Sequence, residues 1–180
     1  CNNELKPRVV ESNRKNEFDQ DLYPKFGSLG VLGQTVKTHG GSGTSNLAYG
    51  LVAYEFEKID SSYRSSISVQ SSLVIHPINE FGSQEQKDKY LPQLIKGEKI
   101  GCFGLTESEA GSDPASMKTS FKKTKDGYIL NGSKNWITNA PIADIFIIWA
   151  IEENKDYKSI KGFIIEKNTE GLNTSTIENK

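Results

Sequence analysis

The chain has 180 residues, of which 22 are basic and 23 acidic, so its formal net charge is −1. This balance leaves no basic surplus for nucleic-acid phosphates, and no apolar run approaches the roughly 20 residues of a membrane-spanning helix. Aromatic residues make up 9% of the chain, more than is typical of disordered sequences. These properties predict a folded protein and exclude nucleic-acid binding and a transmembrane helix.

The two ends and the cysteines indicate a piece of a longer protein. Met117 is the only methionine, and the last residues stop without a turn or a cap. We therefore interpret the chain as an internal fragment. Cys1 and Cys102 form no spacing pattern, and the apolar neighbours of Cys102 predict a small buried hydrophobic residue rather than a nucleophile.

The first half of the chain carries helical patterns. Apolar residues at 18, 22 and 26 predict a helix over 16–26, with Gly27 as the residue that ends it. After a glycine-rich loop over 39–44, a second helix is predicted over 46–59. Its apolar residues indicate one broad face, which we expect to be buried; these residues are Leu47, Leu51, Val52, Tyr54, Phe56 and Ile59.

Two further helices are expected before residue 98. Asp60, with Ser61 or Ser62, is predicted to cap a helix that continues towards Pro77. Ser83 and Gln86 have the spacing of a capping box at the start of the next helix. Pro92 is expected to interrupt that helix, and Gly97 to end it.

From about residue 100 the pattern changes to short β-type runs separated by turn signals. The predicted strands are 100–106, 120–123, 128–131, 145–151 and 162–166. Asp126-Gly127 between two of them is typical of a hairpin. The sequence therefore predicts an α+β protein, with a helical domain over 1–98 and an antiparallel β-domain over 99–180.

Two stretches of the predicted β-domain carry candidate binding residues. Residues 103–113 offer the hydroxyls of Thr106 and Ser112 and several unencumbered backbone N–H groups, which suit an anionic or hydrogen-bonding cofactor edge. On spacing alone, such a loop is more often a simple turn. Residues 130–139 place Trp136 two residues before Thr138, so that an indole can lie against a planar ring. Taken alone, Trp136 is better explained as core filling.

Together these stretches resemble the acyl-CoA dehydrogenase family, flavoproteins that introduce a 2,3 double bond into acyl-CoA thioesters. The resemblance also includes 49–60, 82–87 and 90–92 in the helical part. It implies an N-terminal helical domain followed by an antiparallel β-barrel-like middle domain, truncated at both ends. The motifs in question are Leu105-Thr106-Glu107, Ala110-Gly111-Ser112-Asp113, Asn131-Gly132-Ser133-Lys134 and Trp136-Ile137-Thr138-Asn139.

The resemblance implies FAD as the cofactor and electron-transfer flavoprotein as the electron acceptor. It places the Thr106 hydroxyl at the pyrimidine edge of the flavin, Trp136 beside the isoalloxazine, Thr138 near N5, and Ser112 near the pyrophosphate and the acyl-CoA entrance. It further implies a homotetramer when full length, in the mitochondrial matrix of a eukaryote or the cytoplasm of a bacterium. The implied cofactor-binding residues are Phe103, Gly104, Leu105, Thr106, Gly111, Ser112, Trp136, Ile137 and Thr138.

Within the family, residues 55–65 and 68–78 are similar to the glutaryl-CoA dehydrogenase subfamily. This likeness implies that Arg64 binds the distal carboxylate of the substrate, that Ser65 completes the polar pocket, and that Glu57 assists decarboxylation. Independently, Arg64 is one of three arginines among 22 basic residues, which favours planar carboxylate recognition. We expect a buried guanidinium; from the residues alone, a surface ion pair with Glu57 or Asp60 is the commoner arrangement.

The implied reaction is oxidative decarboxylation of glutaryl-CoA to crotonyl-CoA and CO2, as in lysine and tryptophan degradation. The family's catalytic base is a glutamate in the C-terminal helical domain, so neither Glu107 nor Asp113 is assigned that role, and the fragment alone is expected to be inactive. Alternatives are a short- or branched-chain acyl-CoA dehydrogenase, a non-decarboxylating glutaryl-CoA dehydrogenase, and a non-catalytic truncated chain. His39 and His76 lie in separate contexts and predict no metal site.

Overall fold

Helices account for the first hundred residues of the chain and strands for most regular structure after them. A computed structural model describes residues 1–177. It divides into two units, Cys1–Ile100 and a second that begins at Gly101, against a predicted start at 99. The α+β class and the order of a helical and then a β-rich part are confirmed.

The helical unit is built from short helices that meet through apolar side chains. Its largest fully buried side chains include Tyr23, Leu22, Ile75, Leu91 and Leu94. The segment from residue 61 to 81 is helical throughout and widens to a π-helix in its middle third. In chain order the helices are α1 (Val9–Lys15), α2 (Leu22–Ser28), α3 (Asn46–Glu57), α4 (Ser61–Ser68), the π-helix (Val69–Ile75), α5 (His76–Phe81) and α6 (Gln84–Ile95).

The helix predicted over 16–26 is wrong in its first half. Asn16 has a left-handed backbone with φ of 53° at the end of α1, and α2 begins only at Leu22. Phe18 contacts the rings of Tyr23 and Tyr63 from a non-helical segment, with both centroid distances 5.8 Å. Its spacing from Leu22 therefore reflects packing on these two rings rather than helical periodicity.

Gly27 does not end α2, because it lies inside the helix. A Cβ atom there would lie 2.0 Å from the carbonyl oxygen of Lys96, so the close approach to the end of α6 requires glycine. The predicted caps of the later helices are confirmed. Asp60 accepts a 2.8 Å hydrogen bond from the Ser62 backbone N–H, and Ser83 forms the capping box with residue 86.

Pro92 does not interrupt α6, which continues to Ile95 before Gly97 follows in a left-handed conformation with φ of 71°. A proline removes one N–H donor, but the Pro92 carbonyl still accepts a hydrogen bond from Lys96 N–H at 3.2 Å. The expected interruption is therefore wrong, whereas Gly97 does lie just beyond the helix.

The expectation that the apolar face of α3 is buried is wrong as well. Phe56 is buried and packs edge-to-face on Phe26, with ring centroids 5.4 Å apart. Leu47, Leu51 and Tyr54 are exposed. The apolar residues of this helix are spread around its circumference, so that a single face cannot contain them all.

The second unit forms a mixed sheet centred on β4. Along one edge of β4, β1 runs parallel to its first half and β2 runs parallel at its end, while β5 pairs antiparallel along the other edge. β2 and β3 form the antiparallel hairpin predicted from the turn at 126–127. The strands are β1 (Gly101–Gly104), β2 (Ser120–Lys123), β3 (Tyr128–Asn131), β4 (Ile145–Glu152) and β5 (Lys161–Glu166).

The purely antiparallel, barrel-like sheet that we predicted is therefore corrected to an open, mixed sheet in the part of the chain that the structure describes. Parallel pairing needs a connection of a dozen or more residues. The forty residues between β1 and β4 supply one, and they contain the second candidate binding stretch and most of the first. Strand patterns in a sequence do not report such crossover pairings.

Cys102 is confirmed as a small buried side chain. It is fully buried in β1 and packs in a cluster with Ala143 and Phe146. Burial raises the pKa of its thiol to about 12, so that the reactive thiolate is disfavoured. Across residues 1–177, the helices are too short or too polar to cross a membrane.

Candidate functional site

Two stretches were singled out from the sequence, the first motif segment (103–113) and the second motif segment (130–139). They meet in the structure. The Asn135 backbone N–H donates a 2.9 Å hydrogen bond to the Thr106 carbonyl. The Lys134 Nζ donates another, also of 2.9 Å, to the Leu105 carbonyl. Residues that lie about thirty positions apart in the sequence thus form one local structure beyond the end of β1.

A buried ion pair lies at the junction of these segments. The Lys134 Nζ is 2.7 Å from Glu107 Oε1, and the two side chains are only 7% and 8% exposed. The carboxylate also accepts backbone hydrogen bonds from Lys118 N–H at 2.6 Å and Thr119 N–H at 3.0 Å. Burial on its own raises the pKa of Glu107, but these donors outweigh it and lower the pKa to about 2.

Beyond Glu107 the first motif segment makes a tight turn and then opens towards solvent. Glu107 and Ala110 exchange backbone hydrogen bonds of 3.1 and 3.3 Å across this turn. Gly111 and Ser112 are exposed, and a Cβ atom placed on Gly111 would have no neighbour within 4 Å. Asp113 accepts a 3.2 Å hydrogen bond from Ala115 N–H at the start of a short 3₁₀ helix. Asp113 therefore has a local capping role.

Trp136 is exposed and has an unusual backbone conformation. Its side chain is 65% exposed, so the core-filling explanation is wrong. Its φ is +60°, a conformation that costs a bulky residue free energy and is concentrated at binding sites. A large apolar ring is thus held in water by a strained backbone. This arrangement suits a planar partner that would stack on the indole.

Three hydroxyl groups in the two segments are available to a ligand. Within residues 1–177, the side-chain hydroxyls of Thr106, Ser112 and Thr138 have no hydrogen-bond partner. Ser112 and Thr138 are exposed, and Thr106 is half-buried. Unsatisfied hydroxyls in the same two segments as an exposed indole fit a planar cofactor with polar ring edges. FAD, the cofactor that the sequence resemblance implies, has this chemistry.

Other predicted cofactor residues have roles in packing. Phe103 packs edge-to-face on Trp149 at a centroid distance of 6.0 Å. A Cβ atom on Gly104 would lie 2.5 Å from the Ile148 Cδ1, so this glycine packs closely against β4. The Ile137 side chain packs against the buried cluster around Cys102. Such residues could meet a cofactor mainly through their backbone.

Arg64 lies in the helical unit, where the connection between α3 and α4 brings it to Glu57. Its Nε donates a 2.7 Å hydrogen bond to Glu57 Oε2, and Ser61 Oγ donates one of 2.6 Å to Oε1. These bonds, from Ser61 and then Arg64, hold the pKa of Glu57 below its ordinary value. Asp60 is occupied by the cap of α4. We call Glu57, Ser61, Arg64 and Ser65 the Arg64 cluster.

The Arg64 cluster corrects one expectation and leaves another open. Arg64 is not buried in the helical unit: its side chain is 38% exposed and that of Glu57 is 45% exposed, so the ion pair weighed as the alternative is present. In the part of the chain that is described, however, neither Nη atom of Arg64 and no side-chain atom of Ser65 has a hydrogen-bond partner. The terminal edge of the guanidinium is thus available to a carboxylate.

Sequence reasoning missed the partnership of Lys134 with Glu107. Both residues were recognised as parts of motifs, but a lysine in a turn-rich stretch is normally solvated. Gly132, two residues before Lys134, gave the one available signal. Its φ is 149°, and a Cβ atom there would lie 2.4 Å from Thr119 Oγ1, so two chain segments approach closely at this point.

Comparison with known families gives two domain matches. The N-terminal domain of acyl-CoA dehydrogenases matches residues 1–98, and the middle domain of the same family matches residues 102–180. The chain is 39% identical to a short-chain-specific acyl-CoA dehydrogenase of Clostridium acetobutylicum over 99% of its own length and 48% of the relative's. It is 40% identical to the mitochondrial isovaleryl-CoA dehydrogenase of Pongo abelii, over 95% of its own length and 42% of the relative's.

A solved structure gives the same result. Glutaryl-CoA dehydrogenase of Mycobacterium smegmatis in complex with FADH2 superposes with a TM-score of 0.95 and 41% identity, over 99% of this chain and 45% of that one. The chain thus spans about half the length of the relatives it matches. Identities to relatives named for three different acyl groups are nearly equal, so overall similarity does not distinguish between these substrates.

Proposed function

Because the chain belongs to the acyl-CoA dehydrogenase family, we propose that it binds FAD and contributes to the oxidation of an acyl-CoA thioester. The observation that carries this proposal is the junction of the two motif segments. There, an exposed Trp136 with φ of +60° lies next in sequence to Asn135, whose N–H binds the Thr106 carbonyl. The M. smegmatis relative named above was solved with FADH2.

In this proposal the second unit holds and orients the flavin. Trp136 lies against the isoalloxazine and excludes water from one side of it. The hydroxyls of Thr106 and Thr138 form hydrogen bonds to the polar edges of the ring, and Ser112 lies near the pyrophosphate and the entrance for acyl-CoA. When bound, FAD supplies the hydride acceptor for oxidation of the acyl chain.

The carboxylates around the motif segments are not proton acceptors in this proposal. Glu107 is ion-paired with Lys134 and has a pKa of about 2, so it is a poor base at neutral pH. Asp113 caps a 3₁₀ helix. The family resemblance implies that the base that removes the α-proton is a glutamate of the C-terminal helical domain, so we assign it there and expect the isolated chain to be inactive.

For the substrate we propose glutaryl-CoA, with its distal carboxylate bound by Arg64. The two Nη atoms of Arg64 have no partner in residues 1–177, whereas Nε is fixed by Glu57. A guanidinium fixed at one nitrogen presents its remaining donors in a defined direction, which favours bidentate binding. Ser65, the next residue in α4, completes the polar surface with a free hydroxyl.

Glu57 acts in this proposal as the residue that orients Arg64. Its lowered pKa keeps it ionised, so that in the absence of substrate it stabilises the guanidinium rather than donating a proton. A second carboxylate brought to Arg64 would raise the pKa of Glu57 through like-charge repulsion. In the decarboxylating reaction this is the condition under which Glu57 could hold or relay a proton and assist the formation of crotonyl-CoA.

A second candidate is a short- or branched-chain acyl-CoA dehydrogenase. The nearly equal identities to the short-chain and isovaleryl relatives favour it. In that case Arg64 would serve only its ion pair with Glu57. For both candidates we propose electron-transfer flavoprotein as the electron acceptor and a homotetramer as the assembly, in the mitochondrial matrix of a eukaryote or the cytoplasm of a bacterium.

The bound cofactor gives the direct test of the flavin proposal. We expect the protein expressed from its complete reading frame to release FAD on denaturation, close to one per chain, identified by chromatography against FMN. A protein that carries no flavin and does not bind added FAD would overturn the proposal. FMN in place of FAD would contradict the role of Ser112 at a pyrophosphate.

Trp136→Ala is expected to raise the dissociation constant of FAD about fivefold, because loss of an aromatic stacking partner costs about 1 kcal/mol. Fluorescence titration of the apoprotein with FAD would measure it. Tyr157→Ala removes another exposed ring of the same unit and serves as the matched control, with no change expected. Equal FAD affinity of the two variants would show that Trp136 does not contact the flavin.

A further inference from the structure

We propose that the buried Glu107–Lys134 pair is the positioning element of the cofactor site, because it fixes the two motif segments relative to each other and thereby holds Thr106 and Trp136 in place for FAD. The inference rests on the proposed function. It assigns a role to two residues that were given none in binding or catalysis.

The contacts of Lys134 join the two segments directly. From the second motif segment, its ammonium group reaches Glu107 Oε1 at 2.7 Å and the Leu105 carbonyl at 2.9 Å in the first. The Met117 sulfur lies 3.9 Å away. Because the side chain is only 7% exposed, water does not replace these acceptors if they are lost.

The contacts of Glu107 close this arrangement into a ring. Its carboxylate accepts the Thr119 N–H at 3.0 Å, and the Thr119 hydroxyl in turn donates a 3.3 Å hydrogen bond to the Ser133 carbonyl, next to Lys134. Gly132 lets the chains approach at this point, since a Cβ atom there would lie 2.6 Å from the Thr119 Cα. The ion pair is therefore one side of a closed network, in which removing either charge loosens both segments.

The positions next to the pair are the ones proposed to contact FAD. Leu105, whose carbonyl binds Lys134, precedes Thr106. On the other side, Asn135 binds the Thr106 carbonyl, and Trp136 follows with its left-handed backbone. Such a conformation at a bulky residue persists only where the surroundings enforce it. The hydrogen bonds of residues 133–135, which directly precede Trp136, supply that constraint.

A neighbouring ion pair provides a matched control. Glu109 and Lys118 pair beside the same turn, but their side chains are 68% and 76% exposed. An exposed pair contributes little to stability and is readily replaced by water. Glu109→Gln therefore removes a carboxylate two residues from Glu107 without opening the network.

The test compares FAD binding by variants of the protein expressed from its complete reading frame. Glu107→Gln and Lys134→Met each break the pair with little change of shape, and Glu109→Gln is the charge control. Phe163→Ala controls for lost stability, because it removes a ring packed on Phe121 in the same unit at a centroid distance of 4.9 Å. The readouts are the dissociation constant of FAD, measured well below each melting temperature, and amide hydrogen exchange over residues 133–138.

We expect Glu107→Gln and Lys134→Met to raise the FAD dissociation constant at least tenfold and to speed exchange over 133–138. The FAD dissociation constants of Glu109→Gln and Phe163→Ala should stay within twofold of that of the unchanged protein. If both variants bind FAD within twofold while their melting temperatures fall, the pair serves stability alone and the inference is overturned, although the proposed function stands.

A conservative variant keeps the test decisive if the two substitutions prevent folding. Glu107→Asp retains the charge but shortens the side chain, so that the pair and the two backbone contacts cannot all be kept. We expect at least a threefold rise of the FAD dissociation constant; an unchanged value overturns the inference. If the unchanged protein itself binds no FAD, the proposed function fails, and this inference fails with it.

Discussion

Replacing Arg64 by alanine is expected to lower the selectivity for glutaryl-CoA over butyryl-CoA by about 100-fold, equivalent to about 2.7 kcal/mol. The physical reason is the loss of charge-assisted hydrogen bonds from the terminal guanidinium nitrogens to the distal carboxylate. Butyryl-CoA lacks that carboxylate, so its kcat/KM should change little. The kcat/KM values of both substrates, measured for each variant, give the selectivity directly.

Two further variants separate Arg64 from its partner. Arg64→Ala also leaves Glu57 unpaired, and this carboxylate would repel glutarate. In the double variant Glu57→Gln/Arg64→Ala that repulsion is absent. Any increase in its selectivity over that of Arg64→Ala therefore measures the repulsion between Glu57 and the distal carboxylate. Arg64→Lys keeps the positive charge but lacks the planar guanidinium, so its selectivity for glutaryl-CoA should fall about tenfold.

Arg14 is an exposed arginine of α1, so Arg14→Lys is the matched control. It should leave kcat/KM for both substrates unchanged. An equal fall of kcat/KM for glutaryl-CoA and butyryl-CoA in Arg64→Ala would mean that Arg64 stabilises the fold and does not bind the distal carboxylate. The short- or branched-chain alternative would then be favoured.

Glu107→Gln is expected to destabilise the protein by about 3–5 kcal/mol at neutral pH, because it leaves Lys134 as an uncompensated buried charge. The effect should depend on pH. Glu107 has an ordinary pKa of 4.5 and a pKa of about 2 in the folded protein. A lowered pKa contributes stability that is present above pH 4.5 and is lost as the pH falls towards 2, in total on the order of 3 kcal/mol.

Urea unfolding of the protein and of Glu107→Gln, followed from pH 7 to pH 3, measures this contribution. We expect the difference in unfolding free energy between the two to be constant down to about pH 5 and then to narrow. Glu109→Gln should remain close to the unchanged protein throughout, since its ion pair is exposed. A difference for Glu107→Gln that is independent of pH would mean that Glu107 is not held ionised by Lys134.

Local signals in the sequence predicted most of the elements. The strands at 120–123 and 128–131 match the structure residue for residue, as does the hairpin between them. The caps at Asp60 and Ser83 are also correct. Each of these features depends on neighbouring residues only, such as a turn dipeptide or a hydroxyl three positions before its partner.

The errors have in common that they depend on contacts between distant residues. Phe18 packs on Tyr23 without being helical, and the exposed side of α3 carries Leu47 and Leu51. The parallel pairing of β1 with β4 is set by a forty-residue crossover. Periodicity reports that a residue is apolar at a given spacing, but it does not report which other segment covers it.

The residues of the candidate site could be predicted from the sequence, but their contacts and backbone conformations could not. Thr106, Ser112 and Trp136 were identified by motif, and the structure brings the segments of Thr106 and Trp136 together. The left-handed backbone of Trp136 and the buried partner of Lys134 depend on the folded chain alone. The burial predicted for Arg64 is not seen in the helical unit, where it pairs with a half-exposed Glu57 at the end of the preceding helix.

Anaerobic titration of the bound flavin tests the central claim most directly. The protein expressed from its complete reading frame would be titrated with glutaryl-CoA and, separately, with butyryl-CoA, while loss of the oxidised flavin band is followed and CO2 is assayed on reoxidation. We predict bleaching by glutaryl-CoA at far lower concentrations than by butyryl-CoA, with release of CO2. Equal or better bleaching by butyryl-CoA would contradict the glutaryl-CoA assignment, and no bleaching by either would contradict the acyl-CoA dehydrogenase activity itself.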